Sequence, residues 1–151
     1  MNVLILGCGR TGATLALQLA ALDHKVTVID RNPDSIRRLG TKASHITVVV
    51  GNGLDLDTLE KAGVQTCDAF FALTRGDNTN LMAAQIVQRK YPKARVSVKV
   101  ADPQRAEAYK ELGLFCINAS ALLAGMCKDW LMGEDYKTVD TYNKLIKELE
   151  Y

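Results

Sequence analysis

Three glycines and one aspartate carry the first chemical signal in this chain. Gly7-Cys8-Gly9-Arg10-Thr11-Gly12 follows the apolar run Val3-Leu4-Ile5-Leu6 without a break, and Asp30 closes the next apolar run. Glycine at 7 allows a tight turn off a strand, glycine at 9 admits a pyrophosphate against bare backbone, and glycine at 12 lets a new helix lie close to a sheet. Phosphate would then rest on the free amides of the helix N-terminus. G-x-G-x-x-G alone is a weak signal. Strand, glycines, helix, second strand and terminal acid in order within about 30 residues supply the context of a dinucleotide fingerprint. The plain alternative is a glycine-rich strand-to-helix turn that binds nothing.

Those residues need a sheet to hold them, and the rest of the chain supplies one. Apolar, β-rich runs at residues 2–6, 25–30, 46–50, 69–73, 96–100 and 114–118 alternate with helical patterns, which predicts α/β architecture. The runs are apolar throughout, as expected of parallel strands covered on both faces. Right-handed crossovers then give a doubly wound, Rossmann-like parallel six-stranded sheet. Leu15, Leu19 and Leu22 are spaced to face the sheet from the first helix. Asn32-Pro33 reads as the cap and first residue of the second helix, and Gly40, Gly63 and Gly113 punctuate helix ends.

After the sixth strand the pattern changes. Residues 121–132 form a crossover helix carrying Leu122, Leu123, Met126, Trp130 and Leu131, more apolar than a solvent-facing terminal helix needs. A further helix over residues 138–151 places Val139, Tyr142, Ile146 and Leu149 at a/d-like spacing. Packing back onto the same domain explains either stripe; for the Trp130 helix a second protomer is the expected partner. The chain divides into a nucleotide-binding domain, residues 1–133, and a helical extension, residues 134–151.

Composition excludes several classes. The 151 residues are 48% hydrophobic and 24% charged, the balance of a globular domain. Nineteen Lys and Arg against seventeen Asp and Glu, scattered along the chain, leave no electrostatic footprint for nucleic acid. No basic leader precedes the first strand and no apolar run approaches the roughly 20 residues of a membrane span, so a cytoplasmic location is expected. Cys8, Cys67, Cys116 and Cys127 lack metal-ligand spacing and read as buried free thiols.

Four segments together carry a family resemblance: the Gly7–Gly12 fingerprint, Asp30-Arg31-Asn32-Pro33, Gly51-Asn52-Gly53 before Leu59-Glu60-Lys61-Ala62-Gly63, and Thr74-Arg75-Gly76-Asp77-Asn78-Thr79-Asn80. Over residues 1–133 the chain resembles the N-terminal domain of TrkA-type potassium-uptake regulators, also called RCK or KTN domains. The resemblance implies a cytosolic regulatory subunit that binds NAD or NADH, or alternatively ATP, ADP or AMP. It also implies a homodimer or higher homo-oligomer through the crossover helix, and gating of an integral-membrane potassium channel or transporter at the inner face of the cell membrane. The nucleotide contacts so implied are Gly7, Cys8, Gly9, Arg10, Thr11, Gly12, Asp30, Arg31, Asn52, Gly53, Thr74, Arg75, Asp77, Asn80 and Lys99, with no catalytic or metal-binding residue.

Several of these positions have chemistry of their own. Arg10 can reach over phosphates, or sit in solvent at a helix start. Asp30 accepts from ribose hydroxyls and opposes a 2′-phosphate, although Arg31 beside it could accommodate one. Asp77 serves equally as a helix cap, and Asn80 either meets ligand or braces its loop. Two departures from the family pattern stand out. Asn52 occupies a position where the family has aspartate, which keeps an acceptor but adds a donor. Ser120-Ala121 replaces a Pro-Glu pair, which removes the glutamate of an intersubunit metal site. Lys99 matches a family arginine directed at phosphate, and a buried lysine without an anion is costly.

The competing class is a small NAD-dependent oxidoreductase. Only His24 and His45 could serve as imidazole bases, and neither Tyr91, Tyr109 nor Tyr136 has a lysine four positions on. A regulatory binding domain is therefore the expected function, and a nucleotide-holding scaffold is the third possibility.

Overall fold

The structure is a computed structural model that describes residues 1–145, with the side chains of residues 42, 43 and 145 outside the description. Ile146 and Leu149 of the expected last stripe therefore lie outside the described residues. The strands are β1 (Asn2–Leu6), β2 (Lys25–Asp30), β3 (Ile46–Val50), β4 (Ala69–Ala72), β5 (Arg95–Val100) and β6 (Phe115–Asn118). Their order is β3-β2-β1-β4-β5-β6, the Rossmann-like order expected from right-handed crossovers. β1 pairs in parallel with β2 and β4, β2 with β3, and β4 with β5. Strand order proceeds one way across the sheet from β1 to β3 and the other way from β4 to β6, and ligands of open α/β sheets bind at such a switch point.

The chain forms two compact units, Met1–Val98 and Lys99–Tyr151. In the first, helix α1 (Arg10–Ala20) and a 3-10 segment (Pro33–His45) flank β2, and helices α2 (Leu56–Lys61) and α3 (Asp77–Lys90) flank β4. Val3 to Leu6 are all at most 3% exposed, so β1 is covered on both faces, which is why its apolar run shows no alternation. Val3, Ile5, Val26 and Val28 share one cluster with Ala13 and Ala16 of α1 and Leu39 of the 3-10 segment.

The helix stripe differs from the leucine pattern expected. Gly12, Ala13 and Ala16 form the fully buried face of α1, Leu15 and Leu19 are only partly buried, and Leu22 is 67% exposed. The helix ends at Ala20, so Leu22 falls in the turn. Small residues let α1 approach the sheet too closely for leucines to occupy the contact line. The segment after Asn32-Pro33 is 3-10 rather than α-helical and kinks at Gly40, where φ is 59°.

The second unit holds α4 (Pro103–Glu111), β6, α5 (Ala119–Met132) and α6 (Val139–Leu145). Asp102 caps α4 by accepting from the Gln104 and Arg105 amides, and Asn118 caps α5 by accepting from the Ala121 amide. α6 packs against α5 in its own chain. The Tyr142 ring lies where Gly125 leaves no Cβ, and its hydroxyl donates to Asp129 at 2.8 Å. Asn143 continues the main-chain pattern of β6, accepting from the Asn118 amide and donating to the Cys116 carbonyl. Leu123, Trp130 and Leu131 remain 67%, 74% and 75% exposed on α5. Of the cysteines, Cys127 departs from expectation in being exposed.

Asp129 is buried, and the Lys128 ammonium, with further hydrogen bonds from Tyr142 and Lys137, holds its carboxyl at about 2 against the opposing effect of burial. Because this pKa lies below the ordinary value of 3.8, the stabilisation from these partners, Lys128 on α5 first and Tyr142 on α6 among the rest, is full above about pH 4 and is lost as pH falls through 2. Hydrogen exchange should show α6 amides losing protection across that acid window before the strands of the first unit do. Protection that persists unchanged through it would mean that Asp129 does not hold α6.

Candidate functional site

A cavity of about 720 Å³ opens at the carboxyl ends of β1 to β4, entirely within the first unit. Four strand ends build its wall. Leu6, Gly7 and Gly9 come from β1 and its turn; Asp30, Arg31, Asn32, Ser35 and Arg38 from β2 and the 3-10 segment; Gly51 to Leu54 follow β3; and Leu73 to Gly76 with Thr79 follow β4.

The fingerprint glycines divide the labour as their spacing implies. Gly7 has φ of 102°, and a Cβ there would press on the Thr74 amide nitrogen at 3.0 Å. A Cβ on Gly12 would collide with the Gly7 carbonyl, so this glycine sets the approach of α1 to the turn. Gly9 is different. Its φ of -73° suits any residue, and a Cβ there meets no protein atom within 4 Å. Nothing in the fold requires glycine at 9; bare backbone facing a cavity is what an approaching phosphate requires. Gly9 is also the N-cap of α1 without a side-chain cap, and Gly76 is the uncapped N-cap of α3. Two helix N-termini therefore bring partial positive charge to one cavity, the Gly76 amide itself donating to the Thr74 hydroxyl at 3.3 Å.

Asp30 has already been recruited by the protein. Its Oδ2 accepts from the Cys8 amide at 2.7 Å and its Oδ1 from the Asn32 amide at 2.8 Å, tying the β1 turn to the end of β2. Each oxygen keeps a further lone pair for a ribose hydroxyl. Burial first, and the Asp30 charge second, raise the pKa of the Cys8 thiol, with Arg38 pulling the other way. Asn52 folds into its own turn, accepting from the Leu54 amide at 3.1 Å and donating to Asp55 at 3.3 Å. Gly53 is buried because a Cβ there would run into Leu6.

Other expected contacts lie off the wall, each for a physical reason. The Cys8 side chain sits in the apolar core and its amide is committed to Asp30. Gly12 lies beneath the Gly7 carbonyl. Arg10 and Thr11 are exposed in the first turn of α1. Asp77 occupies the first turn of α3, where its charge favours the helix dipole. Asn80 is fully buried and braces the loop: its Oδ1 accepts from the Thr74 amide at 2.8 Å and hydroxyl at 2.6 Å, and its Nδ2 donates to the Thr74 carbonyl at 3.1 Å. Lys99 lies in β5, in the other compact unit.

Ser35, Arg38 and Thr79 are lining residues that the sequence reading missed. Ser35 and Arg38 stand three apart in a 3-10 segment, where residues i and i+3 stack on one side. The i, i+3 spacing of Ser35 and Arg38 after Asn32-Pro33 was the available signal, and it puts both on one face in an α-helix as in a 3-10 helix.

Residues 3–118 match the model of the TrkA-N domain. The chain is 43% identical over 114 residues to the Trk system potassium uptake protein TrkA of Streptomyces coelicolor, covering 76% of this chain and 51% of that protein. It is 36% identical over 114 residues to the TrkA homolog of Methanothermobacter thermautotrophicus, covering 76% and 52%. The chain thus spans about half the length of the curated relatives it matches. The Kef CTD of Shewanella denitrificans in its AMP-bound form shares the fold with a TM-score of 0.72 at 22% identity, covering 98% of this chain and 92% of that one. The GsuK channel bound to NAD gives 0.67 at 22%, covering 82% and 22%. These relatives are named for potassium uptake and channels, and the dehydrogenase alternative falls with them.

Asn80 gives the site its clearest stability test. Asn80→Leu keeps the branched shape of the side chain but strands the Thr74 amide and carbonyl, costing about 1–3 kcal/mol. Urea denaturation reads that loss; a change within about 0.5 kcal/mol, the range of ordinary surface substitutions, would show that the loop finds other partners.

Proposed function

The chain belongs to the TrkA-N domain family, and from that premise we propose that it is a nucleotide-sensing regulatory domain of a potassium channel or transporter. Gly9 carries the reading: a glycine that neither backbone conformation nor packing demands, at a helix N-terminus facing a cavity. The ligand is NAD(H) or an adenine nucleotide, ATP, ADP or AMP, with its phosphates at the Gly9 and Gly76 helix ends and a ribose hydroxyl on Asp30. The AMP and NAD carried by two proteins of the same fold support this ligand class. Thr74 and Arg75 border the phosphates, and Arg10 and Lys99 lie outside the wall as the structure stands.

The domain works in the cytoplasm, as part of a homodimer or larger assembly at the inner face of the membrane through its transport partner. No helix among the described residues is long and apolar enough to cross a membrane, which fits a subunit that acts through such a partner. Binding changes the geometry of the assembly only to the extent that the nucleotide prefers one arrangement over another.

Gly9→Ala separates ligand binding from folding. The added methyl meets no protein atom within 4 Å, so the free protein should stay folded, while affinity for NAD(H) or ADP falls at least tenfold, about 1.4 kcal/mol. Calorimetry with the folded variant decides it. Undiminished affinity would move the phosphates away from α1, and absence of binding by wild type to all of these nucleotides would remove the reading itself.

The exposed stripe of α5 yields a second test. Aromatic anchors at interfaces cost about 2 kcal/mol or more on truncation, so Trp130→Ala should shift sedimentation toward monomer with the nucleotide domain still folded. An unchanged oligomer would take the interface away from α5.

A further inference from the structure

The charges around Asp30 do not balance for an unphosphorylated ribose. Arg31 and Arg38 line the β2 side of the cavity, and among the described residues neither forms an ion pair with a carboxylate. The neighbouring arginine behaves otherwise: Arg37 pairs with Asp34 at 3.2 Å on the open surface and does not line the cavity. Arg38, the next residue, lines the cavity instead, and its Nη1 donates to the Ser35 carbonyl at 3.5 Å. Ser35 stands one 3-10 turn before Arg38 and lines the same wall.

The helix ends proposed for the phosphates lie elsewhere, at Gly9 and Gly76 on the β1 and β4 side. Arg31, Ser35 and Arg38 therefore line the cavity beside Asp30, on the side away from the Gly9 and Gly76 helix ends. Like charges held together favour an anion between them, and guanidinium forks match phosphate geometry. Asp30 opposes such an anion less than its position alone implies. Two backbone amides donate to its carboxylate, one to each oxygen, and two cations outnumber its single charge.

We infer that Arg31, Ser35 and Arg38 form a second anion subsite that takes a phosphate ester on the adenosine ribose, so that the cavity accepts NADP(H) and not only NAD(H). This rests on the nucleotide reading above and deepens it. It revises the expectation from Asp30 alone, which ranked a 2′-phosphate as unfavourable. The contribution of each arginine differs in kind from stacking on adenine, since stacking strengthens every adenine nucleotide equally.

The probes are AMP and adenosine 2′,5′-bisphosphate, which differ by the one phosphate, with adenosine 3′,5′-bisphosphate marking its position and NAD and NADP as the full ligands. Calorimetry on the full chain should show the 2′,5′-bisphosphate binding about tenfold tighter than AMP, with NADP at least equal to NAD. Arg31→Ala with Arg38→Ala should erase the gain, so that the double variant binds AMP and the 2′,5′-bisphosphate within about twofold of one another. Arg37→Ala should preserve the gain, which controls for general loss of positive charge. A 2′,5′-bisphosphate that binds more weakly than AMP overturns the subsite, as does a double variant that weakens AMP and the bisphosphate equally. A stronger gain from the 3′,5′-bisphosphate keeps the anion subsite and excludes NADP as its occupant. Binding of NAD with none of these preferences removes only the subsite, whereas failure of every nucleotide removes the nucleotide reading with it.

Discussion

The cavity depends first on one carboxylate. Asp30 ends β2, yet its oxygens accept from amides on both sides of it, Cys8 in the β1 turn and Asn32 at the start of the 3-10 segment. Gly7 adds a main-chain bond to the Ile29 carbonyl at 2.7 Å. Two chain segments that would otherwise leave the sheet independently are thereby held in register. Charge-assisted hydrogen bonds of this kind are roughly twice as strong as neutral ones, so the turn is preorganised before any ligand arrives. Preorganisation reduces what a ligand must order on binding. It also means that Asp30 cannot be removed without loosening the turn that presents Gly9, so loss of binding in an Asp30 variant would not by itself identify a ribose contact.

The same economy appears across the cavity at β4. Asn80 spends its amide on the backbone and hydroxyl of Thr74, and so fixes the loop that leads to the α3 N-cap at Gly76. Asn52 likewise spends its oxygen on the Leu54 amide. Polar side chains that look available for ligand in a linear reading are here holding loops, while glycines and backbone amides are left facing the open space. For a site that recognises phosphate this is physically coherent, since helix-end amides supply both donors and positive potential without side-chain entropy.

The architecture was legible from sequence because it rests on regular signals. Apolar runs, glycine spacing and a terminal acid are local, and they located all six strands to within a residue. The resemblance to TrkA-type domains was legible for the same reason: its motifs stand at strand ends, where spacing is held by the sheet. What failed to show was anything decided by contact distance. Leucine periodicity suggested the buried face of α1, but the Gly12 contact with the Gly7 turn brings the helix too close, and Ala13 and Ala16 take that face instead. Asn80 as brace rather than ligand contact follows only from the buried position of its side chain. That Arg38 lines the cavity while Arg37 pairs with Asp34 is decided by how the segment sits against the sheet, which spacing alone does not give.

The second unit shows how a similar limit applies to assembly. Tyr142 enters the space above Gly125 and meets a buried carboxylate, so the inner face of α5 is satisfied within the chain. That leaves the stripe of Leu123, Trp130 and Leu131 as a separate surface, unmet by α6 and mostly exposed. A hydrophobic pattern by itself could not divide these two faces, because both read as apolar spacing on one helix. Gly125 and Asp129 mark the division: a missing side chain and a buried charge have one partner that fits them, whereas the aromatic and leucine stripe has area to offer and no internal counterpart among the described residues. Exposed apolar area of that kind is what a partner surface covers, and on α5 it stands apart from the face that Tyr142 fills.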